Sequence, residues 1–192
     1  MALVEAGTEL FLKNGYDQVS LDDIVNHAGG SKASIYKYFG NKAGLFSAIC
    51  KHRCESFLSG LQPQICCDTV DLRTYLNQIL YHIYQHLTES DNVAFIRLVF
   101  EQSQRDPVLG ELLYESGPKQ AHKIIAEALA NADARQEIDC KQPYESALFF
   151  FGIFRNIEWR LLIGLSPIES DLDIHNYIHY LVDKFLIGHK KA

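Results

Sequence analysis

The sequence lacks the features that mark several large classes of protein. Its longest apolar run, from Ala147 to Phe154, has eight residues, whereas a membrane-spanning helix needs about 20. Its first residues are acidic and amphipathic, unlike a secretory signal peptide. It contains no glycine-rich phosphate loop, nucleophile elbow or His-Glu metalloprotease motif. We therefore expect a cytoplasmic protein that is not an enzyme, contacts no membrane and uses no cofactor.

Cysteine is too scarce, and odd in number, for a disulfide framework. The five cysteines fit free thiols in a reducing compartment, and two of them, Cys66 and Cys67, adjoin in a predicted loop. Three pairs have the spacing that places two metal ligands on one helical face: Cys50 and Cys54, His82 and His86, and His175 and His179. No third ligand is evident, so we expect no metal site, and metal or redox sensing remains the alternative.

Net positive charge is also absent, because 24 acidic residues outnumber 18 basic ones and the chain carries −6. The charge is unevenly distributed, however. The stretch from Ile24 to Cys54 has no Asp or Glu and holds five basic residues, Lys32, Lys37, Lys42, Lys51 and Arg53. This stretch carries +5 and the remainder of the chain −11. A basic patch on an acidic protein directs one surface toward DNA, although chance clustering is the alternative.

Helical periodicity dominates the sequence, and no strand alternation is found. The predicted fold class is all-α, with about nine helices. The first four end near residues 14, 29, 40 and 61. The other five are predicted at about 71–87, 91–104, 107–131 (interrupted at Gly117-Pro118), 143–164 and 173–188. N-caps are predicted at Ser20, Ser31, Asn41 and Asp106, and Asp23 completes a capping box with Ser20.

The second and third predicted helices have the pattern of a helix-turn-helix. Both are short, a glycine-containing turn joins them, and the second of the pair is basic, as in motifs whose recognition helix enters the major groove. Ile35 and Phe39 are expected to face inward. The candidates for DNA contact are Ser31 at the N-cap and the outward-facing Lys32, Ala33, Ser34, Tyr36, Lys37 and Tyr38. Each tyrosine has half-buried packing as an alternative.

Two lysines stand where helix electrostatics disfavour them. Lys32 and Lys42 each occupy the first position of a predicted helix, where a cation opposes the helix dipole at a cost of about 0.3–1 kcal/mol. Phosphate bound at the free N–H groups of these helix ends explains the placement, although exposed lysines are also tolerated elsewhere. Ser20, at the start of the second helix, is placed to bind phosphate in the same way. We therefore expect double-stranded DNA as a partner.

Residues 6–46 resemble the DNA-binding domain of the TetR family of transcriptional regulators. The resemblance rests on Ala6 to Phe11, Asn14 to Tyr16, Val19 to Ile24 and Ala28-Gly29, and above all on Ser31 to Phe46, which contains Tyr-x-Tyr-Phe-x-x-Lys-x-x-Leu. It implies that DNA is contacted by Ser20, Lys32, Ala33, Ser34, Tyr36, Tyr38 and Lys42. Gly30 departs from the family pattern by replacing an aliphatic residue. The chain also begins without the basic extension that members often have.

A second resemblance, to the C-terminal domain of AefR-like members, covers Ile96 to Glu101, Asp106 to Gly110 and Tyr114 to Pro118. Together the two imply a helix-turn-helix domain at residues 1–46 and an effector-binding and dimerisation domain at residues 47–192. They imply a repressor that binds a palindromic operator as a dimer. A small-molecule effector of unknown identity would release it from DNA.

The last two predicted helices are the candidates for the homodimer interface. The ninth carries one continuous apolar stripe of Ile174, Tyr177, Ile178, Leu181, Val182 and Phe185. The eighth has apolar residues on more than one face: Leu148, Phe150, Phe151, Ile153, Phe154, Ile157, Leu161 and Leu162. Burial within one chain is the alternative. The family resemblance implies a four-helix bundle of these helices, which favours the dimer.

Polar side chains embedded in the later helices are candidates for lining an effector pocket. They are His82, Arg97, Glu101, Tyr114, Arg155 and Trp159. Arg97 and Glu101 lie four residues apart, so they can instead pair with each other. Arg155 can equally serve the dimer interface, and for each of the six a purely structural role is the favoured alternative.

Overall fold

The structure, a computed structural model, describes residues 1–61, 71–168 and 172–191, and the regular secondary structure there is helical. The helices are α1 (Ala2–Asn14), α2 (Leu21–Ala28), α3 (Lys32–Phe39), α4 (Lys42–Ser59), α5 (Leu72–Thr88), α6 (Ser90–Ser103), α7 (Pro107–Ser116), α8 (Pro118–Ala134), α9 (Pro143–Phe151), α10 (Arg155–Leu162) and α11 (Ile174–Ile187). A 3₁₀ turn, Gly152–Phe154, separates α9 from α10. No strand occurs among these residues, which confirms the all-α prediction.

Two of the nine predicted helices are each divided in two. The helix predicted at 107–131 ends at Ser116 and resumes at Pro118 as α8, at the predicted interruption. The helix predicted at 143–164 is interrupted by the 3₁₀ turn that begins at Gly152. A glycine stands at each break, and its low helix propensity favours the interruption. Pro118 can open α8 because the first helical position needs no N–H group.

The chain divides into two compact units, and neither is one continuous stretch of sequence. The head unit comprises Met1–Ser56 and Ser90–Gly117, with α1 to α3, most of α4, α6 and α7. The body unit comprises Phe57–Glu89 and Pro118–Ala192, with α5 and α8 to α11. One boundary between the units therefore falls within α4. The predicted division into a DNA-binding domain, residues 1–46, and an effector-binding domain, residues 47–192, concerns function and stays a prediction.

A single core holds the head unit together. Its buried members from the first 50 residues are Val4, Ala6, Phe11, Val19, Ile24, Ile35, Leu45, Phe46, Ile49 and Cys50. The members from α6 and α7 are Phe95, Leu98, Val99 and Leu109. The rings of Phe46 and Phe95 are 6.2 Å apart between centroids. The core of the predicted three-helix domain therefore continues into α6 and α7.

In the body unit, α8 packs along α9, and α5 packs against α10 and α11. The core includes Ile178, Val182 and Phe185 of α11, and the other members of the predicted α11 stripe pack against it: Ile174, Tyr177 and Leu181. Half of the stripe is therefore buried within one chain, as the alternative in the sequence analysis had it, and the other half is only partly buried. A dimer contact through α11 stays a prediction.

The start of α4 approaches the end of α3 closely, and Gly44 makes this possible. A Cβ atom at position 44 would lie 1.8 Å from the carbonyl oxygen of Phe39, well inside van der Waals contact. The Asn41 side chain caps α4, as predicted, by accepting a hydrogen bond of 2.8 Å from the Gly44 N–H. These two contacts set how α4 follows α3.

None of the described helices is long and apolar enough to cross a membrane. The predicted loop that holds Cys66 and Cys67 lies outside the described residues. The hypothesis of a redox-active pair there therefore stays a hypothesis.

Candidate nucleic-acid interface

Side-chain caps set where α2 and α3 begin. Ser20 Oγ accepts a hydrogen bond of 3.2 Å from the Asp23 N–H, and the Asp23 carboxylate accepts one of 2.7 Å from the Ser20 N–H. This completes the predicted capping box. Ser31 caps α3 by accepting a hydrogen bond of 3.2 Å from the Ser34 N–H. Between the helices, Gly29 has the left-handed conformation, with φ 70° and ψ 28°, which favours glycine.

Helix α3 combines one fully buried residue with a broad exposed face. Ile35 is buried and Phe39 is partly buried, as predicted. Tyr36 is 58% exposed and Tyr38 is 68% exposed, so neither is a half-buried packing residue. The remaining predicted contacts on this helix are also accessible, with Lys32, Ala33 and Lys37 exposed and Ser34 partly exposed. The face therefore offers cations, hydroxyls and a methyl group to a ligand.

Lys32 has an acidic partner that the sequence analysis missed. Its Nζ lies 2.7 Å from Oδ2 of Asp22 on α2, and the hydrogen bond raises the pKa of Lys32. Both side chains are about half exposed or more, so water and salt screen the pair. A phosphate that binds Lys32 must compete with Asp22. The sequence already placed Asp22 two residues before the stretch without acidic residues, which contains Lys32.

Lys42 is held against two aromatic rings at the start of α4. Its Nζ lies 4.3 Å from the ring centroid of Tyr16 and 5.8 Å from that of Phe11. Partial burial lowers the pKa of Lys42. Cation–π contacts of this kind position an ammonium group without neutralising it. Tyr16 thus supports a predicted DNA contact, although it was not itself among the predicted residues.

Ser20 directs both of its donors at one carboxylate oxygen. Its Oγ lies 2.6 Å, and its backbone nitrogen 2.7 Å, from Asp23 Oδ2. These hydrogen bonds hold the pKa of Asp23 below its usual value. To donate a hydrogen bond to a DNA phosphate, Ser20 has to give up one of its hydrogen bonds to the Asp23 carboxylate. The phosphate contact by Ser20 stays a prediction.

Two family models match the sequence. The model of bacterial regulatory proteins of the tetR family matches residues 3–49. The model of the C-terminal domain of AefR-like transcriptional repressors matches residues 74–189, which is more than half of the chain. The chain belongs to the TetR family. It is therefore a DNA-binding transcriptional regulator, and TetR-family regulators are not enzymes.

Curated relatives of this TetR-family chain include both a repressor and an activator. The HTH-type transcriptional repressor ComR of Escherichia coli (strain K12) is 24% identical over 139 residues, which are 71% of this chain and 66% of ComR. The HTH-type transcriptional activator FasR of Mycolicibacterium smegmatis is 30% identical over 99 residues, which are 52% of this chain and 44% of FasR. The chain thus spans less than two thirds of the length of either relative.

Solved structures of the TetR family cover nearly the whole chain. A TetR-family transcriptional regulator from Mesorhizobium loti MAFF303099 has a TM-score of 0.88 at 23% identity and covers 99% of this chain and 96% of that one. The flavonoid-responsive regulator FrrA has a TM-score of 0.81 at 29% identity, and the match covers 98% of this chain and 95% of FrrA. The fold is therefore shared along the full length.

The six predicted effector residues are divided between the two units. Arg97, Glu101 and Tyr114 belong to the head unit, and all three are exposed. His82, Arg155 and Trp159 belong to the body unit. The His82 imidazole contacts the Phe57 carbonyl oxygen at 3.0 Å, and Arg155 pairs with Glu158 at 2.7 Å. An effector contact by any of the six stays a prediction.

The body unit also contains a cavity that was not predicted. It has a volume of about 260 Å³ and is lined by none of those six residues. Its polar lining residues are Asn156, Arg160 and Tyr177. Asn156 and Arg160 are four residues apart on α10, a spacing visible in the sequence. The opposite wall comes from residues 167, 168 and 172, which no local pattern connects to α10.

Five of the six cysteine and histidine residues paired on helices are buried or stacked on an aromatic ring within the protein. Burial raises the pKa of Cys50 to about 12 and that of Cys54 to about 11, which makes both thiols poor nucleophiles. His82 and His86 stack on Phe57, and His175 stacks on Tyr81. In the described ranges, no group of three or more His, Cys, Asp or Glu residues could hold a metal ion. The metal-sensing alternative therefore has no support there.

Proposed function

We propose that this TetR-family regulator is a ligand-responsive repressor that binds a palindromic operator as a homodimer. The observation that carries the proposal is the exposed face of α3. Tyr36 and Tyr38 project from a helix whose buried residue is Ile35. Large side chains left exposed on a short basic helix suit a groove of DNA better than a protein core.

The proposed contacts divide into base reading and phosphate binding. The N-terminal part of a recognition helix reaches base edges, so Lys32, Ala33 and Ser34 are assigned to the bases. Phosphate contacts are assigned to the other predicted residues, which are Ser20, Ser31, Tyr36, Lys37, Tyr38 and Lys42. Lys42 is best prepared for this role, because Tyr16 already orients its ammonium group.

A homodimer is proposed because one helix-turn-helix contacts too few base pairs for useful specificity. A two-fold dimer reads two half-sites of a palindrome. The last helices expose large apolar side chains that suit such an interface. They are Leu148 and Phe149 on α9, Trp159 on α10, and Tyr180 and Ile187 on α11.

Repression and ligand response are supported by the relatives. The model that covers residues 74–189 describes transcriptional repressors, and ComR is named a repressor, whereas FasR is named an activator. FrrA, which shares the fold at 29% identity, is named as flavonoid-responsive. An effector can release DNA only if it binds one conformation of the protein better than the other.

The head unit offers a physical route for such a conformational change. Phe95, Leu98, Val99 and Leu109 of α6 and α7 share the core of the DNA-binding helices. Arg105, between α6 and α7, also pairs with Asp17, in the loop before α2. A displacement of α6 and α7 would therefore move the DNA-binding helices with them.

Mobility shifts test the proposal. An operator is selected from random DNA with the full-length protein, and an inverted repeat is expected. Tyr36→Ala and Lys42→Ala should each weaken operator binding by about 10-fold. Lys42→Ala should also reduce the dependence of binding on salt, because one phosphate contact is lost.

Lys123→Ala is the matched control, since Lys123 is an exposed lysine on α8 of the body unit. It should leave operator binding unchanged. Thermal unfolding of each variant separates lost contacts from lost folding. The assignment of α3 is wrong if folded Tyr36→Ala and Lys42→Ala variants bind the operator as tightly as the wild type.

A further inference from the structure

The cavity in the body unit lies between α10 and the start of α11. Its apolar lining includes Ile153, Ile157 and Leu172, and its polar lining consists of Asn156, Arg160 and Tyr177. Ligand pockets in proteins usually measure about 300–1,000 Å³. A cavity of about 260 Å³ therefore fits a compact ligand, such as a molecule with a single ring.

Arg160 is oriented within this cavity by its own chain. Its Nε donates a hydrogen bond of 2.8 Å to the carbonyl oxygen of Ser166, and the residue is partly buried. A guanidinium has five N–H donors, and this bond uses one of them. The other four lie on the two terminal nitrogens, which form the planar fork that binds a carboxylate with two hydrogen bonds.

Two carboxylates that the structure describes, each within two residues of the cavity lining in sequence, are engaged elsewhere. Glu158 pairs with Arg155 at 2.7 Å. Asp173 caps α11 by accepting a hydrogen bond of 2.8 Å from the Asn176 N–H. A charge that is partly buried beside apolar side chains is stabilised by an anionic partner, and these two carboxylates already serve other groups.

We propose that this cavity binds a compact amphipathic carboxylate and that this ligand is the effector. The ring lies against Ile153, Ile157 and Leu172, and the carboxylate accepts hydrogen bonds from the terminal nitrogens of Arg160. The Tyr177 hydroxyl and the Asn156 amide supply further polar contacts. Tyr177 belongs to α11, which is a helix of the proposed dimer interface. A ligand that contacts Tyr177 can therefore change the position of α11 and with it the arrangement of the two protomers. The inference rests on the proposed function, because it names the effector class and its site.

Titration of the full-length protein with benzoate and cyclohexanecarboxylate, without DNA, tests the site. Benzamide serves as the matched neutral probe. Trp159 is the single tryptophan of the chain and adjoins Arg160, so its fluorescence reports binding, and calorimetry gives the stoichiometry. We expect one carboxylate bound per chain, with benzoate bound about 10-fold more tightly than benzamide.

Arg160→Gln should weaken benzoate binding about 10-fold and abolish the preference for benzoate over benzamide. Arg135→Gln is the matched control, because it removes an exposed guanidinium of the body unit that pairs with Glu137, and it should bind as the wild type does. If Arg160→Gln fails to fold, Ile153→Phe replaces it. That variant fills the apolar part of the cavity, leaves Arg160 intact, and should reduce the binding of both rings.

Three results would overturn the inference. The first is that neither benzoate nor cyclohexanecarboxylate saturates the protein by about 5 mM. The second is that the Arg160→Gln variant binds benzoate with the wild-type affinity. The third is that bound benzoate leaves operator affinity unchanged in a mobility shift, which refutes the effector role. Failure of the protein to bind an operator without benzoate is a different result. It refutes the proposed function, and the titrations without DNA distinguish the two failures.

Discussion

At the scale of single residues, Gly44 controls how closely α3 and α4 approach. A Cβ atom there would overlap the Phe39 carbonyl oxygen at 1.8 Å, and because that oxygen belongs to the backbone, no side-chain rotation relieves the overlap. We expect Gly44→Ala to lower the free energy of unfolding by at least about 2 kcal/mol. It should also weaken DNA binding, since the end of α3 has to move. Urea unfolding followed by circular dichroism measures the first effect.

Gly110→Ala provides the comparison for this variant. Gly110 lies within α7 of the same unit, and a Cβ atom there would lie 3.4 Å from the Ser103 Cβ, an ordinary contact. The better helix propensity of alanine should leave the free energy of unfolding unchanged or raise it by up to about 1 kcal/mol. Similar losses in both variants would mean that the Phe39 contact is not the cause.

His122 is a buried titratable residue of the body unit. It is 6% exposed, and the rings of Phe151 and Tyr144 meet it edge to face at 4.8 and 6.2 Å. Burial lowers the pKa of His122. The unfolded chain therefore binds this proton more readily than the folded one. Stability is complete above the unfolded pKa of about 6.5 and declines as the pH falls toward the lower folded pKa.

We therefore expect the free energy of unfolding to decrease from about pH 7 to about pH 5, and His122→Phe to remove part of that decrease. Urea unfolding at a series of pH values measures it. His179→Gln, which changes an exposed histidine of the same unit, should keep the wild-type dependence. A His122→Phe variant with the full wild-type dependence would assign the effect to other groups.

At the scale of helices, α2 places a carboxylate beside the first residue of α3. Asp22 contacts Lys32 at 2.7 Å, so it competes with any phosphate for that lysine. We expect Asp22→Asn to tighten operator binding several-fold at low salt, and the gain should shrink as salt screens these exposed charges. Mobility shifts at two salt concentrations measure it.

The same substitution combined with Lys32→Ala completes a double-mutant cycle. Without Lys32, the effect of Asp22→Asn on operator affinity should be smaller. An effect of Asp22→Asn that is equal with and without Lys32 would show that Lys32 is not the group that Asp22 restrains.

Helix starts were predictable because their hydrogen bonds are local. The caps at Ser20, Ser31, Asn41 and Asp106 each bond an N–H two or three residues later, so a short window of sequence contains both partners. The break at Gly117 was predicted because a proline follows it directly. The break at Gly152 was not predicted, because a glycine within a helix is tolerated or not according to its packing. The exposure of Tyr36 and Tyr38 was likewise undecided until the neighbours of α3 were known.

At the scale of the whole molecule, dimerisation depends on apolar side chains that the folded chain leaves exposed. Phe149 is 67% exposed on α9, and Tyr180 is 55% exposed on α11. We expect Phe149→Glu and Tyr180→Glu each to shift the protein from dimer toward monomer, because a buried unpaired carboxylate is disfavoured at an interface. Light scattering after gel filtration measures the mass, which is 21.8 kDa for one chain.

Val108→Glu is the control for these substitutions. Val108 is 67% exposed on α7, in the head unit, so a carboxylate there should leave the dimer intact. If all three variants keep the wild-type mass, the interface lies elsewhere on the protein.

Long-range packing was the part of the fold that local patterns could not predict. The apolar stripe of α11 was visible in the sequence, but whether it faces the same chain or a partner depends on α5, α9 and α10. The cavity beside Arg160 and the sharing of one core by α1 to α4 with α6 and α7 also join residues that are distant in sequence. Periodicity shows that a helix has an apolar face, and it does not show what covers that face.

The shared core of the head unit limits how this regulator can be recombined with others. A DNA-reading cassette cut after residue 46 would leave behind Phe95, Leu98, Val99 and Leu109 and open a large void among the remaining apolar side chains. The exchangeable module is instead a split one, residues 1–56 together with 90–117. A hybrid that keeps both pieces, and substitutes the segment between them as an insert, preserves the packing. Point substitutions on the exposed face of α3 can therefore change DNA specificity without disturbing this core. Exchange of a domain that ends at residue 46 cannot.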